Sequence, residues 1–220
     1  MEALWSPSKD AVEHAQITDF MRWAGRREKR EFPDYAALYD WSIRDLEGFW
    51  SAFWDWSGVV ASKKGATVVD DPSLLPGAKW FPEARLNFAE NLMKRGDRGD
   101  AIVSWDETGF RRRLSYSDLH TDVSRAAKAL AQLGIRPGDR VAAFIPHMPE
   151  TMVLALAAIS LGAVWSSCSP DFGTDGVLDR FGQTEPKVLF VADGYRYAGK
   201  THGTLERVAE IAAQLPKLRK

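Results

Sequence analysis

Between residues 141 and 192, three short and almost wholly apolar runs are separated by segments patterned as helices. The runs are Val141–Ile145, Ala163–Ser167 and Lys187–Ala192. A strand that does not alternate apolar with polar residues is buried on both faces. That is the condition of a parallel sheet with helices packed on either side. The first intervening helix is expected over Pro149–Leu161, with Pro at its first position and Gly162 at its end. A short helix is expected at Val177–Phe181 and a final one at Leu205–Leu215. Upstream, Ala101–Trp105 and Phe110–Leu114 flank the turn residues Asp106-Glu107-Thr108-Gly109, which predicts a hairpin. Ser117 is the expected cap of a helix whose apolar face is Leu119, Val123, Ala126, Ala127 and Leu130, ending at Gly134. The order β-α-β-α-β-α-β-α predicts an α/β fold built on a mostly parallel sheet.

Residues 1–80 have a different character, aromatic-rich and helical in pattern. A helix is expected near residues 10–24, carrying Phe20, Met21 and Trp23. Another is expected to start at Ser42, with Asp45 completing a variant capping box. Ile43, Leu46, Trp50, Phe53 and Trp54 then share one helical face, and Gly58 is the stop. Aromatic side chains dominate core burial, so these rings are read as packing groups rather than a cofactor box. The chain thus divides into a helical N-terminal extension, 1–80, and an α/β part, 81–220.

Charge and cysteine content remove several function classes. Lys and Arg number 29 against 30 Asp and Glu, a formal net charge of -1. That balance gives no electrostatic footprint for nucleic acid or an anionic membrane. Cys168 is the only cysteine, so no disulfide forms within the chain, which suits a reducing, cytoplasmic setting. The first ten residues, MEALWSPSKD, lack the basic and apolar regions of a signal peptide. Met152–Trp165 is apolar but too short to span a bilayer.

In open parallel sheets, ligands bind beyond the carboxyl ends of strands. Two segments qualify: residues 166–173, Ser-Ser-Cys-Ser-Pro-Asp-Phe-Gly, and residues 193–201, Asp-Gly-Tyr-Arg-Tyr-Ala-Gly-Lys-Thr. The second matches G-x-x-x-x-G-K-[ST] through Gly194, Gly199, Lys200 and Thr201, and is expected to follow a strand and precede a helix. A true nucleotide P-loop wraps phosphates in successive backbone N–H groups, and Tyr195, Arg196, Tyr197 and Ala198 are poor material for that wrap. A phosphate loop of another kind suits Lys200 and a helix N-terminus better. Cys168 has neither His nor Lys near it in sequence, so it reads as a small buried residue rather than a nucleophile. His14, His120, His147 and His202 are scattered without metal spacing, and only His147 falls near a strand's ligand edge. Arg111-Arg112-Arg113 reads as a solvated strand face.

The segments Leu114–Leu119, Ala129–Ile135 and Gly138–Ala142, with Pro149-Glu150 and Leu161–Val164, resemble the start of the adenylate-forming superfamily. That superfamily includes acyl-CoA synthetases, luciferases and peptide-synthetase adenylation domains. Trp80–Leu92 is similar to the N-terminal extension shared by acetyl-CoA and acetoacetyl-CoA synthetases. Ser166–Gly173 and Asp193–Tyr197 resemble the acetoacetyl branch, and the likeness extends over the whole chain.

The resemblance implies a two-step ligase. Acetoacetate attacks the α-phosphate of Mg-ATP to give an acyl-adenylate and pyrophosphate, and CoA then displaces AMP. In the acetyl-CoA relatives, a Phe-Gly-Gly loop meets the adenine end of CoA and an Arg-x-x-Arg pair meets phosphate. Carried over by resemblance, the CoA residues are Ser169, Pro170 and Asp171, then Tyr197, Gly199 and Lys200, with Arg196 as a helper. Tyr197 in place of the first Arg removes a charge and leaves Lys200 as the main phosphate group. The resemblance also implies that the ATP, Mg²⁺ and acyl-pocket residues and the catalytic Lys lie beyond residue 220. The chain alone is then expected to be inactive, with an interrupted sheet whose apolar surface favours self-association. Three alternatives stay open at this point: a P-loop nucleotide hydrolase using Gly194–Thr201, a related acyl-CoA synthetase acting on another short acid, and a non-catalytic interaction module.

Overall fold

A computed structural model describes residues 4–74 and 76–219. The chain forms two compact units, Met1–Leu86 and Asn87–Lys220.

The first unit holds α1 (Lys9–Glu13), α2 (Gln16–Glu28), α3 (Tyr35–Arg44) and α4 (Leu46–Trp56). Side-chain caps start three of them: Ser8 accepts from the Ala11 N–H, Asp34 from Ala37 and Asp45 from Gly48. The helix expected to begin at Ser42 is two helices. Ser42 lies inside α3, its hydroxyl donating to the Tyr39 carbonyl at 2.7 Å. The break is at Asp45, whose φ of -129° ends α3 while its carboxylate caps α4. A short acidic side chain at that bend satisfies the next helix's free amides, and the apolar periodicity running across it concealed the break. Ile43 therefore belongs to α3, apart from Leu46, Trp50 and Phe53 on α4. Phe20, Ala24, Leu38, Trp41 and Ala52 form the core. Phe20 meets Phe49 and Phe53 edge-on, with ring centroids 5.7 and 5.4 Å apart. Beyond the helices, isolated bridges pair Lys63 with Arg85 and Val69 with Trp80.

The second unit opens with α5 (Phe88–Leu92) and the antiparallel pair β1 (Asp100–Asp106) and β2 (Gly109–Ser115). This hairpin is a separate two-stranded sheet rather than part of the parallel one. Next come α6 (Tyr116–Gln132), β3 (Arg140–Phe144), α7 (Pro149–Ser160), β4 (Val164–Cys168), α8 (Thr174–Thr184) and β5 (Val188–Val191). The cap of α6 is Ser115, not Ser117. The Ser115 hydroxyl accepts from the Asp118 N–H, and the Asp118 carboxylate reaches back to the Ser115 N–H.

The parallel sheet has the order β4-β3-β5, so β3 is its centre. Val141 through Phe144 are fully buried. Val141 packs with Leu119, Val123, Leu130, Val153 and Leu156 from α6 and α7. Ala142 and Phe144 pack on the opposite face with Val177 and Phe181 of α8 and with Ile211. Ile211 belongs to α9 (Leu205–Ala213), which closes the described fold after a second hairpin, β6 (Gly194–Tyr197) and β7 (Lys200–Gly203). The period-2 alternation of strand side chains thus sends successive β3 residues into two cores, which is why the strand is apolar from Val141 to Phe144.

Candidate functional site

Two chain segments leave the carboxyl ends of the parallel strands. After β4, Phe172 N–H turns back to the Ser169 carbonyl at 3.2 Å. Pro170 is fully buried beneath this turn, while Ser169 and Asp171 are exposed. Arg207 from α9 donates to the Phe172 carbonyl at 3.0 Å, and the Arg180 guanidinium of α8 lies 4.3 Å from the Phe172 ring centroid. Two cations from different helices therefore hold a loop whose outward groups are Ser169 and Asp171. Sequence reasoning missed both arginines, because neither lies in a motif. Their only signal was position on helices that flank the loop.

Cys168 ends β4 and is 5% exposed. Burial pushes its thiol pKa up, against a weaker opposing pull from Arg180. A thiol held protonated is a poor nucleophile, which agrees with a packing role. His147 is exposed in the segment after β3. No cluster of three His, Cys, Asp or Glu side chains that could hold a metal occurs among the described residues.

The segment after β5 differs from expectation. Gly194–Thr201 is not a loop leading into a helix N-terminus. It lies within the β6–β7 hairpin, and α9 begins only at Leu205. The letters of the P-loop motif are present, but its strand–loop–helix geometry is not. The physical reason is turn chemistry. Tyr197 pairs with Lys200 across a two-residue turn, and both central residues have positive φ, Ala198 at 50° and Gly199 at 73°. That is the backbone of a tight hairpin turn matched to strand twist. Gly194 is required at the base, since a Cβ there would stand 2.8 Å from the His202 carbonyl oxygen. At the same end, Thr204 N–H donates to the Asp193 carbonyl at 3.1 Å and its buried hydroxyl donates to the Ala192 carbonyl.

The register sorts the hairpin's side chains. Residues directly opposite share a face, so Tyr195 and His202 lie with Tyr197 and Lys200, whereas Arg196 and Thr201 lie on the other face. The Tyr195 and His202 rings stack with centroids 5.1 Å apart, giving the Lys200 face an aromatic floor. Arg196, Tyr197 and Lys200 are all exposed. Lys200 and Arg196 thus stand on opposite faces, which separates the two cations that were expected to serve one phosphate.

A further contact was not foreseen. The Gly199 N–H donates to the Glu107 carboxylate at 2.9 Å, joining the β6–β7 turn to the β1–β2 turn. The β1–β2 turn is itself braced: Asp106 accepts from the Thr108 hydroxyl at 2.7 Å and pairs with Arg111 at 2.5 Å. The Thr108 hydroxyl and the Arg111 guanidinium together lower the Asp106 pKa to about 2.

No helix among the described residues is long and apolar enough to cross a membrane. The profile of the AMP-binding enzyme family matches residues 88–220, and that of the acetyl-coenzyme A synthetase N-terminus matches residues 35–92. The chain is 46% identical over 212 residues to an acetoacetyl-coenzyme A synthetase of Rhizobium meliloti, covering 96% of this chain and 32% of that protein. It is 36% identical over 222 residues to the acetoacetyl-CoA synthetase of Rattus norvegicus, covering 100% of this chain and 33% of the relative. The solved structure of an acetoacetyl-CoA synthetase from Streptomyces lividans superposes with a TM-score of 0.93 at 42% identity, over 100% of this chain and 34% of that one. The chain spans about a third of the length of the relatives it matches. With the profile covering residues 88–220 and the fold shared throughout, the chain belongs to the AMP-binding enzyme family.

Proposed function

We propose that the chain is the N-terminal part of an ATP-dependent ligase that joins acetoacetate to coenzyme A through an acyl-adenylate. One observation carries the reading: the likeness to an acetoacetyl-coenzyme A synthetase runs along 96% of the chain at 46% identity. In this account the segment supplies part of the coenzyme A path. ATP, Mg²⁺ and the acyl group are handled by other parts of the longer polypeptide. A single buried thiol suits a cytoplasmic enzyme.

The proposed coenzyme A contacts are Ser169, Asp171 and the backbone at Pro170 on the β4 loop, and Tyr197, Gly199 and Lys200 on the hairpin. What supports the second group is chemistry. Lys200 is an exposed ammonium beside an aromatic floor, suited to a phosphate with an adjoining planar group. Arg196, on the opposite hairpin face, serves as a secondary attraction rather than a shared ligand of the same phosphate. The test uses the full-length ligase, the polypeptide at the length of its relatives. Acetoacetate should drive pyrophosphate exchange into ATP without coenzyme A, and AMP release only with it. Equal exchange with acetate, or none with acetoacetate, contradicts the acyl assignment. The 220-residue chain alone should release no AMP.

A further inference from the structure

We propose that Glu107 is a positioning residue for coenzyme A, acting on the β6–β7 hairpin from the tip of the β1–β2 hairpin. The inference rests on the coenzyme A reading of Lys200 and extends it to a residue 92 positions away in sequence from the Gly199 amide it holds.

In a two-residue hairpin turn the flanking residues, here Tyr197 and Lys200, carry the ladder pairing. The amide of the second central residue, Gly199, is left outside the ladder. It donates instead to the Glu107 carboxylate at 2.9 Å. The base of the hairpin is held by Thr204 against Ala192 and Asp193. Its tip is joined to another element by the Glu107 bond, the one such hydrogen bond among the described residues. The strands themselves are mostly exposed, so packing contributes little to holding the tip. Ala198 adds a reason for a restraint: it sits at a φ of 50°, which a residue with a Cβ adopts only at a cost. Lys200 follows the anchored amide directly, so fixing Gly199 fixes where the Lys200 ammonium projects. Glu107 is held in turn, because Asp106 beside it is locked by Thr108 and Arg111.

The sign of the effect separates positioning from simple electrostatics. A carboxylate near a phosphate site repels the phosphate, so as a mere charge Glu107 would weaken coenzyme A binding and its removal would tighten it. As an anchor its removal loosens binding, and an uncharged acceptor of the same shape preserves it.

The experiment measures the KM for coenzyme A, kcat and pyrophosphate exchange in full-length Glu107→Ala, Glu107→Gln and Lys200→Ala, with thermal unfolding of each. The inference expects Glu107→Ala to raise the KM for coenzyme A roughly three- to tenfold, the range of one hydrogen bond. Exchange, kcat and unfolding stay at wild-type values, and Glu107→Gln keeps the wild-type KM. If Lys200→Ala raises the KM while Glu107→Ala leaves or lowers it, the positioning role is overturned and the coenzyme A reading stands. A fall in exchange in Glu107→Ala also overturns it. If Lys200→Ala leaves the KM unchanged, the coenzyme A reading fails and the inference falls with it.

Discussion

The central strand β3 and the β6–β7 hairpin lie in the same unit and obey opposite rules. From Val141 to Phe144 the strand is fully buried, with one core on each face. The hairpin is largely exposed and is held by a tight turn, a close backbone approach at Gly194 and one carboxylate at its tip. Burial fixes the strand, so its sequence is apolar and its variants act on global stability. Local backbone chemistry fixes the hairpin, so under the proposed coenzyme A role its variants should act on ligand geometry and leave the fold intact.

The largest expected effect is at β3. Phe144→Ala removes a fully buried ring from the core it shares with Val177, Phe181 and Ile211. Unfolding free energy should drop by about 3–5 kcal/mol, measured by denaturant titration. In the fraction that remains folded, the KM for coenzyme A should stay at the wild-type value. A loss under about 1 kcal/mol would mean that the strand is not the keystone of this unit.

Gly194→Ala sharpens the contrast from the other side. A Cβ placed 2.8 Å from the His202 carbonyl oxygen forces the two strands apart at their base. The local cost is about 1–3 kcal/mol, but it falls on the hairpin. The KM for coenzyme A should rise in the full-length ligase, while the global unfolding midpoint moves little. A large fall in the midpoint would merge the two regions into one cooperative element.

The smallest effect is a titration. The Asp106 pKa is lowered from 3.8 to about 2 by the Thr108 hydroxyl and Arg111. A group with a depressed folded pKa adds stability that is present above the unfolded value and is lost as pH falls through the folded one. The β1–β2 turn should therefore hold down to pH 3.8 and loosen toward about 2. The Thr108 amide shift, followed by NMR, should titrate with a midpoint near the lower value. A midpoint near 3.8, as for an unpartnered carboxyl, would show that the turn is not braced and could not hold Glu107 in place.

The parallel sheet was legible because two buried faces leave no polar residue from Val141 to Phe144 of β3, and hydrophobic pattern alone reports that. The same logic found the apolar face of α6, where Leu119, Val123 and Leu130 are buried. Errors came where short polar side chains settle the geometry. Asp45 splits one periodic stretch into α3 and α4, and Ser115 rather than Ser117 caps α6. The hairpin misled for a related reason. Its letters fit a phosphate loop, but the positive φ at Ala198 is carried by a residue that gives no turn signal as Gly or Asn would. The contact of Glu107 with Gly199 joins positions far apart in sequence and follows no spacing rule, so only the fold reveals it.

In the proposed reading the exposed hairpin serves coenzyme A while other parts of the longer polypeptide perform adenylation. Lys200→Ala in the full-length ligase separates these two roles. A charge-assisted hydrogen bond to phosphate contributes about 1.5–3 kcal/mol, and exposure of Lys200 to solvent places the effect at the lower end. The KM for coenzyme A should therefore rise about tenfold. Acetoacetate-dependent pyrophosphate exchange should be unchanged, because the adenylate forms before coenzyme A is needed. An unchanged KM, or an equal loss of exchange, would contradict the account.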